Sequence, residues 1–160
     1  MPTKQVSRAP PRAASRSRTD GAVAHGLLPG LVGYQLRLAQ LAVFRDFEAS
    51  TAGLGLTPGR FGMLVLIEAN PGVTQSGLAR AVGLDRSTMV AVLDRLEDRR
   101  LIDRRQGRDR RTNGLWLTAG GRRLLAQMKR RVAAHEARVA ARLTAPERKK
   151  LLELLRRLGR

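Results

Sequence analysis

The stretch between Thr74 and Leu96 reads TQSGLARAVGLDRSTMVAVLDRL and decides the fold of this chain. Thr74 is a good helix N-cap residue, and Gly83 is suited to end the short helix that follows it. A second helix begins at Asp85 or just after it, and its apolar residues recur at spacings of three and four, which places them on one face. These residues are Met89, Val92, Leu93 and Leu96. A short helix, a glycine turn and a second amphipathic helix form a helix-turn-helix.

The opposite face of this second helix carries hydroxyl groups, guanidinium groups and small apolar side chains. Its residues are Arg86, Ser87, Thr88, Val90, Ala91 and Arg95. A helix fits the DNA major groove, where hydroxyl and guanidinium groups bond base edges and phosphates. The backbone N–H groups of a first helical turn also attract a phosphate. The pattern therefore predicts a DNA recognition helix, with an ordinary helical hairpin that has a solvated polar face as the alternative.

Residues 101–117 change from helical to strand character. Segments 101–106 and 112–117 predict two strands, and the charged segment 107–111 predicts the turn that joins them into a hairpin. Arginines dominate this hairpin, at Arg104, Arg105, Arg108, Arg110 and Arg111. An arginine-rich loop directly after a recognition helix is placed to enter the adjacent minor groove, where narrow A·T-rich stretches have enhanced negative potential. A solvated charge run is the alternative interpretation.

Amphipathic helices flank this central part on both sides. Apolar stripes predict one helix from 27 to about 50, a second from Pro58 to about 70, a long helix from about 119 to 143, and a last one that starts with a Thr144–Glu147 capping box. The stripe of the last two helices is longer than one small domain covers, which favours a symmetric dimer over an intramolecular helical hairpin. Its members are Leu124, Met128, Val132, His135, Val139, Leu143, Leu151, Leu154, Leu155 and Leu158. His135 is interpreted as a packed or interfacial residue rather than a metal ligand.

The charge of the chain points to a polyanionic partner. Its 160 residues include 31 Lys and Arg against 13 Asp and Glu, which gives a formal net charge of +18. Nucleic acid is the first candidate for such a partner and an anionic membrane surface is the second. A general bias of the sequence toward arginine accounts for part of the excess. Residues 1–25 are basic, rich in Pro, Ser and Ala and without an apolar period, which predicts a disordered basic arm.

Composition also excludes several classes of function. Without cysteine, the chain forms no disulfide, thiolate zinc site, iron–sulfur cluster or thiol redox switch. Its two histidines lie far apart in the sequence, so we expect no metal site and no cofactor. The sequence has no nucleophile–base pair and no glycine-rich phosphate loop, which disfavours an enzyme. No apolar run is long enough to span a membrane and no signal-type stretch opens the chain, which predicts a cytoplasmic protein.

Together these patterns predict a mainly α protein with a small two-stranded β-wing. We expect a winged helix-turn-helix DNA-binding lobe at 57–118, preceded by the basic arm at 1–25 and a dimerisation helix at 26–56. The C-terminal dimerisation helices are expected at 119–160.

The combination of motifs resembles the MarR family of winged helix-turn-helix transcriptional regulators over residues 28–158. The motifs that carry the resemblance are Thr74-Gln75, Leu78-Ala79, Leu84 to Thr88, Leu93 to Glu97, Leu101-Ile102, Asp109 to Arg111 and Leu117 to Gly121. The resemblance implies a homodimer on a pseudo-palindromic double-stranded operator. It places the recognition helices in successive major grooves and the wings in the flanking minor grooves.

The resemblance also implies roles for single residues. Ser87, Thr88 and Arg95 would contact the major groove. Gln75, at the start of the preceding helix, is also expected to contact DNA. Arg110 or Arg111 would enter the minor groove, and Asp109 would orient those arginines through charge-assisted hydrogen bonds. The chain departs from the family at Gly77, where a better helix former is common, and at Val90-Ala91, where a polar or basic pair is frequent. Apolar contact with thymine methyl groups and DNA shape would therefore carry more of the readout here.

Members of the family commonly release DNA when a small ligand binds between the dimer helices and the DNA-binding lobe. The resemblance therefore implies an effector that is an aromatic carboxylate or a coenzyme A thioester. The residues that offer such a ligand aromatic surface or a cation are Tyr34, Arg37, Phe44, Phe47, Phe61 and Trp116, with Arg45 as a second cation. Core packing is the alternative for most of them.

The preferred hypothesis is a homodimeric, operator-specific repressor that an effector releases from DNA. A non-specific DNA-coating protein of the nucleoid type, in which the basic arm and the wing supply the affinity, is the first alternative. A protein-interaction module that uses the leucine-rich terminal helices is the second.

Overall fold

Several α-helices and a small three-stranded sheet make up the part of the chain that the structure describes. The structure is a computed structural model that describes residues 23–106 and 113–159. After a 3₁₀ turn at Leu28–Gly30, the elements of this described part are α1 (Val32–Ser50), α2 (Pro58–Ala69), β1 (Val73–Thr74), α3 (Gln75–Val82), α4 (Arg86–Asp98), β2 (Ile102–Gln106), β3 (Asn113–Leu117), α5 (Ala119–Val139) and α6 (Ala145–Leu158). The predicted mainly α class is confirmed. Most of the predicted basic arm, and the turn with Arg108, Asp109, Arg110 and Arg111, lie outside the described residues.

Side-chain caps start the helices where the sequence predicts them. The Thr74 hydroxyl accepts a hydrogen bond from the Gly77 N–H at 3.1 Å, and Gly83 ends α3 with a left-handed φ of 68°. Thr144 and Glu147 form the expected capping box of α6. The long helix α5 ends at Val139 rather than at the predicted 143. The chain needs residues 140–143 to reverse direction before Thr144 takes the extended N-cap conformation.

The sheet has one strand more than the two-stranded wing that the sequence predicts. Its order is β1-β3-β2, and both pairs are antiparallel. The predicted hairpin pairs Ile102 with Leu117 and Gln106 with Asn113. The additional strand β1 pairs Val73 with Leu115. It was missed because two residues are too short to show an alternating pattern.

The core lies where α2, α3, α4 and α5 meet the inner face of this sheet. Its fully buried side chains are Leu64, Ile67, Leu78, Met89, Leu93, Leu96, Ile102, Leu115, Leu125 and Met128. Helix α5 approaches the start of the wing so closely that a Cβ atom on Gly121 would lie 2.0 Å from the Leu101 carbonyl oxygen. The position therefore admits only glycine, which gives a packing reason for the Leu117 to Gly121 motif.

A polar cluster joins α1 to the second half of α5. Asp46 Oδ2 lies 2.5 Å from Nδ1 of the buried His135 and accepts from the Arg138 guanidinium at 3.1 Å. Arg138 also donates to the Ser50 hydroxyl, and Phe47 packs edge-on against the His135 ring. His135 is thus a packed residue, as predicted. Hydrogen bonds from Arg138 and His135 hold the pKa of Asp46 at about 2, below its ordinary value of 3.8.

This cluster makes stability depend on pH in the acid range. Because the folded-state pKa of Asp46 is depressed, its contribution is fully present above pH 3.8 and is lost as the pH falls toward 2. We expect Asp46→Asn to lower stability at neutral pH and to flatten the acid decline of the unfolding free energy. Urea titrations of both proteins between pH 5 and pH 2.5, in ~0.5 unit steps, measure this. Equal declines in both proteins would contradict it.

Two arginines donate hydrogen bonds to backbone carbonyl groups of the loop between α1 and α2. The Arg99 guanidinium donates to the carbonyl oxygens of Gly55 and Leu54 at 2.5 and 3.0 Å. Arg131 donates to the Ala52 carbonyl at 2.9 Å, in the same loop between α1 and α2. Arg99 at the C-cap of α4 and Arg131 on α5 thereby fix a loop that lacks regular structure of its own.

Arg100 turns the chain from α4 into β2 with φ of +54°, in the left-handed region that glycine occupies without strain. We expect Arg100→Gly to raise the free energy of unfolding by about 0.5–1 kcal/mol, since the relief of strain exceeds the entropy lost by glycine. Arg99→Gly is the matched control, because Arg99 has φ of −79° and holds two carbonyl groups. It should destabilise, and a loss of stability in both variants would contradict the prediction. Urea denaturation measures both.

Candidate nucleic-acid interface

Helix α4 divides into a buried and an exposed face as the sequence predicts. Met89, Leu93 and Leu96 are fully buried. The residues predicted to contact DNA are all exposed: Arg86, Ser87, Thr88, Val90, Ala91 and Arg95. Val90 is 38% exposed, so its methyl groups are accessible for contact with a thymine methyl group.

Asp85 organises the first turn of α4. One of its carboxylate oxygens accepts from the Ser87 hydroxyl at 2.6 Å and from the Thr88 N–H at 2.9 Å, and the other accepts from the Thr88 hydroxyl at 2.6 Å. These hydrogen bonds push the pKa of Asp85 far below its ordinary value. The two hydroxyl groups are therefore held in fixed rotamers, with their oxygen lone pairs free to accept from a base. Sequence reasoning treated Asp85 only as a helix start and missed this orienting contact.

A cleft of about 430 Å³ lies beside the first turn of α4. The start of α3, the start of α4 and the first residue of β3 converge on it. It is lined by Thr74, Gln75, Ser76, Ala79, Arg80, Arg86 and Asn113. Two guanidinium groups beside hydroxyl and amide groups suit a backbone phosphate. Gln75 was predicted as a contact residue, whereas Ser76, Arg80 and Asn113 were not. Arg80 gave a signal, because the helical period places it opposite the buried Leu78 and Ala79.

The first arginine of the wing, Arg104, is placed differently from the prediction, and the second, Arg105, is not. Arg104 was expected to face DNA, but its guanidinium lies against α4, where it binds Asp94 and Glu97 at 2.6 Å each. Strand alternation explains this correction: Arg104 pairs with the buried Leu115, so its side chain belongs to the inner face. Arg105 points outward as expected, 2.7 Å from Asp103 and over the Trp116 ring.

The residues predicted to bind a ligand do not share one cleft within the described chain. Phe47 is buried and packs against Phe61 with ring centroids 6.1 Å apart, so the core-packing alternative holds for this pair. The Tyr34 hydroxyl lies 2.9 Å from Nδ1 of His25, near the start of α1. Arg37 and Phe44 are exposed on α1. Trp116 lies on the outer face of the sheet, against the backbone of Gly72 and Gly114.

An apolar groove of about 740 Å³ lies between α1, α5 and α6. Its aliphatic lining includes Leu36, Val43, Val139, Leu143, Leu151, Leu152 and Leu155, and Arg138, Arg142 and Arg148 lie at the same surface. Leu36, Leu151 and Leu152 are 40–44% exposed. The groove therefore presents a row of aliphatic side chains to solvent.

Two negative observations complete the description of residues 23–106 and 113–159. None of the helices in these ranges combines the length and the apolar character that a membrane crossing requires. Within the same ranges, no group of three or more His, Asp or Glu side chains is placed to hold a metal ion.

Known proteins with similar sequence and structure identify the family. Residues 54–112 match the model of the MarR family. A transcriptional regulatory protein for the hcr operon of Thauera aromatica is 42% identical, over 85% of this chain and 83% of its own length. The transcriptional repressor CouR, solved bound to a 23-mer DNA duplex, is 42% identical with a TM-score of 0.82 and covers 88% of this chain and 100% of its own. CouR solved bound to p-coumaroyl-CoA is 41% identical with a TM-score of 0.80, and the match covers 87% of this chain and 99% of the CouR chain. The fold agrees with these relatives, since the chain is mainly helical and has an exposed recognition helix and a three-stranded wing. This protein is therefore not an enzyme but belongs to the MarR family of transcriptional regulators.

Proposed function

We propose that this protein is a homodimeric, sequence-specific double-stranded DNA-binding repressor. The observation that carries the proposal is the first turn of α4, where Asp85 orients two exposed hydroxyl groups beside a cleft with two guanidinium groups. A helix presented in this way matches the major groove, and the cleft matches a phosphate of the same strand. The DNA-bound CouR relative supports the same partner.

The homodimer follows from the apolar groove between α1, α5 and α6. Leaving its leucines in water costs about 25 cal/mol for each Å² of apolar surface, so a partner that covers them stabilises the assembly. The occupant we propose is a second copy of this chain, because the same helices carry both the groove and further exposed leucines that would fill it. These leucines are Leu38, Leu41, Leu154 and Leu158. Two copies related by twofold symmetry present two recognition helices to a pseudo-palindromic site.

We further propose that an aromatic carboxylate or its coenzyme A thioester releases the protein from DNA. The p-coumaroyl-CoA complex of the CouR relative supports this class of effector. The predicted ligand residues lie on α1, α2 and β3 and do not share one cleft, so we propose the class of effector without assigning its site. For release, the ligand must bind the DNA-free geometry more tightly than the DNA-bound one.

Selection of bound duplexes from a random pool, followed by titration of the winning duplex and a scrambled version, tests the proposal. We expect the selected duplex to bind at least 1,000-fold more tightly than the scrambled one, and one member of a panel of aromatic acids and their coenzyme A thioesters to abolish the difference. Equal affinity for both duplexes would instead support the DNA-coating alternative. Deleting residues 1–25 separates the two further, because a coating protein would lose most of its binding and a repressor would keep its preference.

A further inference from the structure

Three charged side chains connect the recognition helix to the wing. Nη2 of Arg104 on β2 lies 2.6 Å from Oδ1 of Asp94, and Nη1 lies 2.6 Å from Oε2 of Glu97. The two acids stand three positions apart on α4 and therefore share one face of that helix. The Arg104 side chain is 26% exposed, against 49% and 39% for its partners. We refer to Arg104, Asp94 and Glu97 as the inter-element ion cluster.

The inter-element ion cluster lies where it can fix the position of the wing relative to α4. Residues 99–101 join α4 to β2, and Ile102 at the base of the strand is fully buried. Arg104 lies one inward-facing position further from the base, so it holds the strand pair against α4 beyond the hydrophobic core. Its neighbour Arg105 instead contacts Asp103 and Trp116, which both belong to the sheet.

We propose that Arg104 is a positioning residue for operator recognition, which fixes the angle between α4 and the wing without contacting DNA. This inference rests on the proposed function. A planar guanidinium bridging two carboxylates sets direction as well as distance, which a single ammonium group does not. Recognition of two neighbouring grooves requires that the helix and the wing keep one spacing. Loss of the cluster therefore weakens binding to the matched site and leaves non-specific attraction intact.

Removing the charge of one acid gives a test in which a positioning role and simple electrostatics predict opposite changes in the affinity for the selected duplex. Asp94→Asn removes a negative charge from the helix that faces DNA, so electrostatics alone would tighten binding to any duplex. Positioning predicts that Asp94→Asn weakens binding to the selected duplex by about tenfold while the scrambled duplex binds equally or more tightly. Asp98→Asn, an exposed acid at the end of the same helix, is the matched control and should keep the full preference for the selected duplex.

Arg104→Gln and Arg104→Lys complete the test through the salt dependence of binding. If Arg104 touches no phosphate, Arg104→Gln lowers the affinity for the selected duplex but keeps the slope of log affinity against log salt concentration. Arg104→Lys keeps the charge without the planar fork and should recover only part of the preference. Thermal unfolding of each variant checks the fold, and Asp94→Asn decides the matter if Arg104→Gln does not fold.

Two results would overturn the inference: unchanged or tighter binding of the selected duplex by Asp94→Asn, or a slope reduced by about one in Arg104→Gln, which is the signature of a phosphate contact. A wild-type protein that prefers no duplex over its scrambled version would overturn the proposed function instead. The two failures are therefore distinguishable.

Discussion

Replacing Gly121 with alanine is expected to destabilise the protein by about 3 kcal/mol or more, a large fraction of the roughly 5–15 kcal/mol by which native proteins are stable. The added Cβ would stand 2.0 Å from the Leu101 carbonyl oxygen and 2.9 Å from its carbonyl carbon. That oxygen accepts the Thr118 N–H at 3.1 Å. Neither Leu101 nor α5 can move away without losing other interactions, because Leu101 also begins the chain reversal into β2 and Thr118 caps α5. The separation of α5 from the wing would have to increase, which opens the core around Leu125.

Gly120→Ala is the matched control for this prediction. Its Cβ would find the Arg100 carbonyl oxygen at 3.5 Å, an ordinary contact distance. Alanine is also the better helix former, so this variant should be as stable as the wild type or up to about 1 kcal/mol more stable. Urea denaturation followed by circular dichroism compares the two neighbours directly. A Gly121→Ala protein with wild-type stability would show that α5 and the wing are packed less closely than described.

The second large effect is expected from Leu155→Glu in the apolar groove. If a second copy covers the groove, each dimer would bury two carboxylates among the leucines of the interface, and we expect its dissociation constant to rise at least ~100-fold. Binding to a duplex with both half-sites should then fall by about two to three orders of magnitude, since two linked contacts gain from effective concentration. Binding to a single half-site should change little.

Gln127→Glu on the exposed side of α5 makes the same change of charge outside the groove and serves as the control. Sedimentation velocity gives the oligomeric state and fluorescence anisotropy gives both affinities. A Leu155→Glu protein that remains a dimer would show that the groove is covered by something other than a second copy.

Local signals explain which parts of this fold are readable from the sequence. Helix starts are predictable because the N-cap and its partner lie three residues apart, as Thr118 and Gly121 do. The strands of the hairpin are predictable from alternation. By contrast, the contact between Asp46 and His135 joins residues 89 positions apart, and the local sequence around either residue does not predict it. The burial of Phe47 against Phe61 had to wait for the fold too, because an aromatic stripe suits a core and a ligand pocket equally well.

The candidate site shows the same division. The exposed face of α4 follows from helical periodicity, and the structure places all of its predicted members at the surface. Arg104 was predicted to contact DNA from the arginine-rich composition of the hairpin, although strand alternation places it on the same face as the buried Ile102. Its partners are on another element, so only the folded chain reveals them. Asp109, Arg110 and Arg111 stay predictions.

The arginines that bind loop carbonyl groups bear on how the basic composition is interpreted. Arg99 and Arg131 donate hydrogen bonds to carbonyl groups of the loop between α1 and α2. Arg122 donates to the Leu117 carbonyl at 2.8 Å. A chain with every arginine exchanged for lysine would keep the formal charge of +18. It would nonetheless lose the two-pronged grip of Arg99, because a lone ammonium group lacks a rigid pair of donors. In this protein the preference for arginine over lysine is thus partly architectural, and charge-preserving redesign of its surface has to spare these positions.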